Sequence, residues 1–267
     1  MTKSLPLYQL DAFAEAPFAG NPAAVVPLDD WLPDTVLHAI AAENNLSETA
    51  FFVPIPDTEQ ADFHLRWFTP TVEVDLCGHA TLATAGTLFD HLGFEKSTVR
   101  FKSQSGTLTA TRQGNRVELD FPARPGTPTR VPDGLAAALG GIEPVGFLRA
   151  MNNMAVLQSE AEVRAVKPDL AYIAALDGDG LIVTAPGEDG DVASRYFAPH
   201  AGIDEDPVTG SAHCTIVPYW AERFGGKTQL HCRQVSARGG DLFCELAGDR
   251  VRMAGTVRLY LEGRIHV

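Results

Sequence analysis

Alternating apolar and polar residues dominate the chain, and this pattern predicts a protein built mainly from β-strands. In the first half, most alternating segments are bounded by Gly, Pro, Asn or Asp, as strands usually are. A loop at residues 14–26 runs into one further strand. The remaining strands of this half are predicted at residues 5–13, 46–53, 62–68, 97–103, 106–112 and 116–121.

Helical spacing of apolar residues occurs at two places in the same half. The first helix is predicted from Trp31 to Asn44, with Asp30 as its N-cap and Asn44-Asn45 as a left-handed C-cap. The second is predicted from Gly78 to His91, and Gly93 ends it. Strands of this spacing with one long helix favour an α+β fold over a dinucleotide-binding fold.

The second half repeats this order after a linker that is predicted at residues 123–133, which hold three prolines and a glycine. A helix begins near Gly210, and Pro218 within it is expected to kink or shorten it. Short helices are predicted near 133–140 and 160–176, and strands at 180–185, 192–198, 242–246, 250–255 and 256–263.

An internal repeat relates the two halves. Residues 67–89 and 196–220 share an aromatic-Phe-x-Pro start, an acidic loop and a helix that begins at glycine. Three residue pairs are separated by 129 positions (197 − 68, 199 − 70 and 204 − 75): Phe68 and Phe197, Pro70 and Pro199, Asp75 and Asp204. We therefore expect two similar α+β halves, each a curled mixed sheet around a central helix, related by a pseudo-twofold axis. The first would span 1–125 together with the strand at 256–267, and the second 126–255.

Such a duplication would point the helix starts at Gly78 and Gly210 into one cleft. Free backbone amides and the helix dipole make a helix N-terminus a good site for an anion. A small carboxylate is the expected ligand.

Charge and composition narrow the class of protein. Lys and Arg number 21 and Asp and Glu number 34, and the net charge of −13 disfavours binding to nucleic acid or to an anionic membrane. The chain has no signal-peptide pattern and no apolar run that could span a membrane, so we expect a cytoplasmic protein. The four cysteines form no CxxC pair, and no metal site is expected.

Four segments stand out along the chain, in this order: FAGNPAAVV, AAENNLSETAFF, DLCGHATLATA and GIDEDPVTGSAH. Together they resemble the phenazine-biosynthesis PhzF-like isomerase family, which has the diaminopimelate epimerase fold. The resemblance runs from about residue 7 to residue 220 and implies a homodimer that transfers a proton without a cofactor.

The resemblance assigns roles to individual residues. It makes Glu48 the catalytic acid/base, and a partly desolvated carboxyl suits a group that both takes and gives a proton. It makes His79 a catalytic partner to the ligand's polar groups and Asp206 a second acidic residue that orients the substrate. Substrate-binding residues are expected at Asn21, Gly78, Gly210 and Ser211.

Cys77 is a possible further site residue, because related epimerases use two facing cysteines as their two bases. The corresponding loop of the second half carries Asp206-Pro207 and no cysteine, which argues against that two-thiol reaction. The resemblance implies a cofactor-independent isomerase that moves a carbon-bound proton on a small carboxylate, similar to trans-2,3-dihydro-3-hydroxyanthranilate isomerase. An amino-acid racemase or epimerase and a non-catalytic carboxylate-binding protein are the alternatives.

Overall fold

The computed structural model describes residues 3–56 and 60–267 and consists of strands with a few helices. In chain order the elements are β1 (Ser4–Ala12), β2 (Asn21–Pro27), α1 (Asp34–Asn44), β3 (Glu48–Pro54), β4 (Phe63–Phe68), β5 (Glu73–Val74), α2 (Gly78–Asp90), β6 (Thr98–Ser103), β7 (Gly106–Gln113), β8 (Arg116–Pro122), β9 (Thr127–Thr129), α3 (Leu135–Ala138), β10 (Gly146–Arg149), β11 (Asn152–Val156), α4 (Glu160–Ala165), α5 (Leu170–Ala174), β12 (Gly180–Pro186), β13 (Val192–Phe197), a 3₁₀ turn (Pro199–Ala201), α6 (Gly210–Arg223), β14 (Gln229–Gln234), β15 (Gly240–Ala247), β16 (Arg250–Gly255) and β17 (Val257–His266). None of the helices in the described residues is both long and apolar enough to cross a membrane.

The chain divides into two compact units. Unit 1 comprises Met1–Asp120 and Ala254–Val267, and unit 2 comprises Phe121–Met253. Unit 1 is therefore built from both ends of the chain. The sequence predicted closely similar bounds, with a first half at 1–125 plus 256–267 and a second half at 126–255. That these are the limits of two epimerase-like halves stays a prediction.

Both units have the same succession of strand pairings. In unit 1, β2 is parallel to β3, β3 antiparallel to β4, β4 parallel to β6, and β6 antiparallel to β7. In unit 2, β11 to β15 follow the same order: parallel, antiparallel, parallel, antiparallel. The two similar mixed α+β halves expected from the repeat are confirmed.

A central helix organises unit 1. Every residue from His79 to Phe89 in α2 is buried, and α2 contacts β1, β2, β3, β7 and β17. A helix that is buried all round must be enclosed by other elements. Gly86 permits this close packing, because a Cβ there would lie 3.1 Å from Val257.

The loops that precede α2 and α6 are braced in the same way in each unit. Arg66 makes two hydrogen bonds of 2.7 Å to the carboxylate of Glu73. Arg195 makes two, of 2.8 and 2.9 Å, to the carboxylate of Glu205. Such bidentate pairs fix geometry as well as adding energy. The repeated strand and the loop that follows it thus keep one architecture in both halves.

The structure corrects the predicted start of α1. The helix begins at Asp34 with Pro33 as its N-cap, so Asp30 is not the cap. The reason is steric: a residue that precedes proline is disfavoured in helical conformation, so residue 32 stays outside the helix. The other end is as expected, because Asn45 is left-handed with φ of 49°.

Pro218 neither ends nor shortens α6, contrary to one of the two expected effects. Proline removes the N–H that would otherwise bond the carbonyl of Cys214. The backbone N–H of Arg124 donates to that carbonyl instead, at 2.8 Å. The predicted linker therefore packs onto α6, and part of it forms β9, which pairs with β10.

Candidate active site

Glu48 and His79 form the centre of the site in unit 1. Glu48 is the first residue of β3, and His79 lies in the first turn of α2. Glu48 Oε2 lies 3.1 Å from His79 Nε2, and the two side chains are only 12% and 7% exposed. This is a close contact between an acid and a base, and neither atom makes a well-aligned hydrogen bond among the described residues.

The opposite nitrogen of His79 faces two further residues. Its Nδ1 lies 3.2 Å from Asn21 Nδ2 and 3.5 Å from Cys77 Sγ. Asn21 begins β2, and the parallel pairing of β2 with β3 places Ala23 beside Glu48. Parallel strands begin at the same edge of a sheet, and this is how Asn21 and Glu48 reach one histidine.

The electrostatics of this cluster favour a charged imidazole. Burial by itself lowers the pKa of His79, but the charge of an ionised Cys77 sulfur and that of the Glu48 carboxylate raise it well above its ordinary range, and at neutral pH Glu48 supplies this charge. Burial, together with the nearby Glu48, raises the pKa of Cys77 to about 11. At neutral pH Cys77 is therefore a neutral thiol.

The start of α2 completes the site. Cys77 is its N-cap residue and Gly78 its first residue, and no side chain among the described residues caps it. The first backbone N–H groups of a helix have no partner within the helix and suit an anion. An anion bound there would lie beside His79.

Glu48, Cys77 and His79 also have atom types that bind metals, and one ligand atom from each lies within 4.8 Å of the others. However, His79 turns one nitrogen to Glu48 and the other to Cys77. A histidine coordinates a single ion through one nitrogen, so the arrangement fits a chain of proton-carrying groups better than a metal centre.

The second predicted acid lies in unit 2. Asp206 is 9% exposed, and its Oδ2 accepts a hydrogen bond of 2.5 Å from the hydroxyl of Thr209. Thr209 is the N-cap residue of α6, so Asp206 stands just before a helix start. The dipole of that helix favours the ionised carboxylate.

The two residues expected to bind substrate at the start of α6 differ in exposure. Gly210 is buried and Ser211 is exposed. One turn further, His213 is completely buried, and its Nδ1 lies 2.8 Å from the carbonyl oxygen of Thr209. Burial lowers the pKa of His213 to about 4, so this histidine is neutral.

The structure thus gathers five of the predicted site residues in unit 1: Asn21, Glu48, Cys77, Gly78 and His79. The other three, Asp206, Gly210 and Ser211, lie at the start of α6 in unit 2.

Sequence reasoning missed Gln234. This buried residue makes hydrogen bonds to both Asp206 and Thr209. Nothing near Gln234 in the chain signals that contact, because its partners lie 28 and 25 residues away.

Comparison with known proteins identifies the family. Residues 10–263 match the model of the family described as phenazine biosynthesis-like protein. The chain belongs to the phenazine biosynthesis-like family. The chain is 48% identical to an uncharacterized isomerase of Pseudomonas aeruginosa over 263 residues. This alignment covers 98% of the chain and 99% of the relative.

Solved structures agree with this membership. A phenazine biosynthesis PhzF-family protein of Enterococcus faecalis is 45% identical with a TM-score of 0.95, and the match covers 99% of this chain and 100% of that one. A hydroxyproline epimerase of Agrobacterium vitis shares the fold at 13% identity, with a TM-score of 0.64 over 99% and 93% of the two chains. The fold of this phenazine biosynthesis-like protein is therefore the epimerase fold.

Proposed function

We propose that this protein is an isomerase that moves a carbon-bound proton on a small carboxylate without a cofactor. The observation that carries the proposal is the buried pair of Glu48 and His79, whose facing atoms lie 3.1 Å apart. Membership of a family that includes isomerases supports it. A protected acid/base pair is what proton transfer at carbon needs.

In the proposed reaction, Glu48 takes the proton from one carbon of the substrate. The electron pair of the broken C–H bond moves into the adjoining conjugated system, and negative charge grows on a substrate oxygen. His79 donates a hydrogen bond to that oxygen and stabilises the charge. The protonated Glu48 then returns the proton to another carbon of the same molecule, so nothing is oxidised or reduced.

The substrate class follows from the start of α2. Its uncapped amides suit a carboxylate, and Asn21 and Cys77 hold the imidazole in place beside them. Asp206, Gly210 and Ser211 keep the substrate-binding roles that the family resemblance implies. Trans-2,3-dihydro-3-hydroxyanthranilate is the substrate that we propose to test first.

The test is turnover of that compound in deuterated water, followed by NMR and mass spectrometry. Glu48→Gln should lower kcat by about 10² to 10⁴-fold, the usual contribution of general acid/base catalysis. Glu43→Gln is the matched control, because Glu43 is exposed on α1 and the same charge is removed there. Full activity of Glu48→Gln would overturn the proposal.

A racemase or epimerase is the second candidate, and the thiol of Cys77 beside His79 is the observation that favours it. It would invert a stereocentre and introduce solvent deuterium at that carbon. Trans-4-hydroxy-L-proline, the compound bound in the structurally similar epimerase, is a suitable probe. Binding of either probe with no exchange of carbon-bound hydrogen would instead support a carboxylate-binding protein.

The family resemblance also leads us to propose that the protein acts as a homodimer in the cytoplasm. Light scattering after size-exclusion chromatography tests the assembly: a mass near 57 kDa, about twice the 28.7 kDa of one chain, is expected. A mass of one chain at micromolar concentration would contradict it.

A further inference from the structure

Gln234 is a buried residue that makes three hydrogen bonds to the segment containing Asp206. It ends β14 and is 1% exposed. Its Nε2 donates to the carbonyl oxygen of Asp206 at 2.7 Å and to Thr209 Oγ1 at 3.1 Å. Its Oε1 accepts the backbone N–H of Thr209 at 2.8 Å. One amide side chain therefore binds both ends of the turn that leads into α6.

These contacts fix the direction of one hydroxyl. The Thr209 oxygen accepts a hydrogen from Gln234, so its own hydrogen must point elsewhere. That hydrogen goes to Asp206 Oδ2, at 2.5 Å. A charge-assisted O–H to carboxylate bond of this length is strong and directional. Gln234 is thereby linked, through the Thr209 hydroxyl, to Asp206 Oδ2.

The same end of β14 holds the rest of the turn. Ser236 donates to the carbonyl oxygen of Pro207 at 2.8 Å. The backbone N–H of Asp206 donates to the carbonyl oxygen of Tyr196 at 3.0 Å. The backbone is thus held on both sides of Asp206.

We propose that Gln234 is a positioning residue that orients the Asp206 carboxylate and fixes the first turn of α6. The inference rests on the proposed function, in which Asp206 orients the substrate. Gln234 does not itself contact the substrate. Its loss should alter catalysis because a small misplacement of a catalytic group is costly.

The first test is Gln234→Glu, which keeps the size and the acceptor of the side chain but removes the Nε2 donor. On trans-2,3-dihydro-3-hydroxyanthranilate, kcat should fall by about 10²-fold while KM changes by less than about threefold. Gln229→Glu is the matched control, because it adds the same charge at an exposed position of the same strand. Equal kcat values for Gln234→Glu and the control would overturn the inference.

A second pair of variants avoids the burial of a new charge. Thr209→Ser keeps the hydroxyl and should retain activity within about threefold, whereas Thr209→Val should resemble Gln234→Glu. Both variants keep the contacts of Gln234 with the backbone, whereas Thr209→Val removes the hydroxyl that joins Gln234 to Asp206, so a fall in kcat with KM nearly unchanged is expected for Thr209→Val alone. Equal activities of the two Thr209 variants would therefore contradict the inference.

A spectroscopic test needs no substrate. A hydroxyl proton that is buried and bound to a carboxylate exchanges slowly, so the Thr209 hydroxyl should give a resolved proton NMR signal that Thr209→Val removes. The signal should persist in Gln229→Glu and vanish in Gln234→Glu. Its absence from the wild type, or its persistence in Gln234→Glu, would overturn the inference.

The two proposals fail in different ways. Full activity of Glu48→Gln removes the proposed function, and the Thr209 signal then still decides the part played by Gln234. Loss of activity in Glu48→Gln with no effect of Gln234→Glu removes only this inference.

Discussion

Gly180 begins β12 at the position at which Glu48 begins β3 in the other unit. Each of these two strands runs parallel to the strand before it and antiparallel to the strand after it. The residue that follows Glu48 pairs with Phe68, and the residue that follows Gly180 pairs with Phe197. Unit 2 thus has the strand that corresponds to β3, but it has glycine where β3 has the Glu48 carboxylate. A Cβ at Gly180 would lie 2.6 Å from both Tyr196 Oη and the carbonyl oxygen of Phe197. The position in unit 2 that corresponds to Glu48 therefore has no carboxylate and no room for one.

Gly180→Ala should destabilise the protein. The added methyl group would overlap the Phe197 backbone, which cannot rotate away, so we expect a loss of about 1–3 kcal/mol in the free energy of unfolding. Urea titration measures it. Gly146→Ala is the control, because a Cβ there would be 3.8 Å from its nearest neighbour, Val156, an ordinary contact. Equal midpoints for the two variants would show that unit 2 relaxes without cost.

The raised pKa of His79 gives stability that alkaline conditions remove. This stabilisation is complete below the pKa of an unfolded histidine, near 6.5, and is lost as the pH rises through the folded pKa. Glu48→Gln removes the facing negative charge and should lower the pKa of His79. NMR titration of the His79 ring measures this shift, and Glu43→Gln should leave it unchanged. An unaltered titration in Glu48→Gln would contradict the pairing.

Cys77 separates the two candidate reactions. Burial and the nearby Glu48 raise its pKa to about 11, so the thiol is neutral at neutral pH. If Glu48 is the base, Cys77→Ser should keep activity within about tenfold, since the serine hydroxyl can still contact the imidazole. A fall of about 10³-fold or more would favour the epimerase reaction instead. The kcat of this variant is the measurement.

His213 should make the native state sensitive to acid. Its pKa is lowered to about 4, so between about pH 6.5 and pH 4 the unfolded chain binds a proton that the native chain does not. Stability therefore falls as the pH falls through this window.

The check compares the free energy of unfolding at about pH 7 and about pH 5. His213→Gln should lose roughly 2 kcal/mol less than the wild type over that range. His91→Gln, at an exposed position after α2, should behave like the wild type. Parallel losses in all three proteins would exclude this role for His213.

Sequence predicted the duplicated fold because the repeated residues have structural reasons to recur. Phe68 and Phe197 lie beneath the arginines that brace the loops of each unit, at 5.0 and 4.9 Å. Four strands of unit 2 escaped prediction, namely β9, β10, β11 and β14. β11 begins with two buried asparagines, and the hydroxyl of Tyr196 donates a hydrogen bond to Asn152 at 2.8 Å. A partner so distant in the chain leaves no local pattern.

The residues of the candidate site likewise fall into those that the sequence singles out and one that it does not. Asn21, Glu48, Cys77 and His79 stand at element starts, where segment patterns and the family resemblance single them out. The roles proposed for them remain predictions. Gln234 ends a strand of mixed polarity, and only the tertiary contacts with Asp206 and Thr209 distinguish it from an ordinary polar residue.

The pairing of β1 with β17 has a consequence for synthesis on the ribosome. These strands pair from Ser4 with His266 to Ala12 with Val257, so unit 1 needs the last residues of the chain. Unit 2 is continuous and has all its residues earlier. Domains fold as units once they have emerged from the ribosome. Unit 2 should therefore fold first, while the first 120 residues cannot yet complete unit 1. A nascent chain that stops before β17 would then carry Glu48 and His79 without completing the unit that holds them.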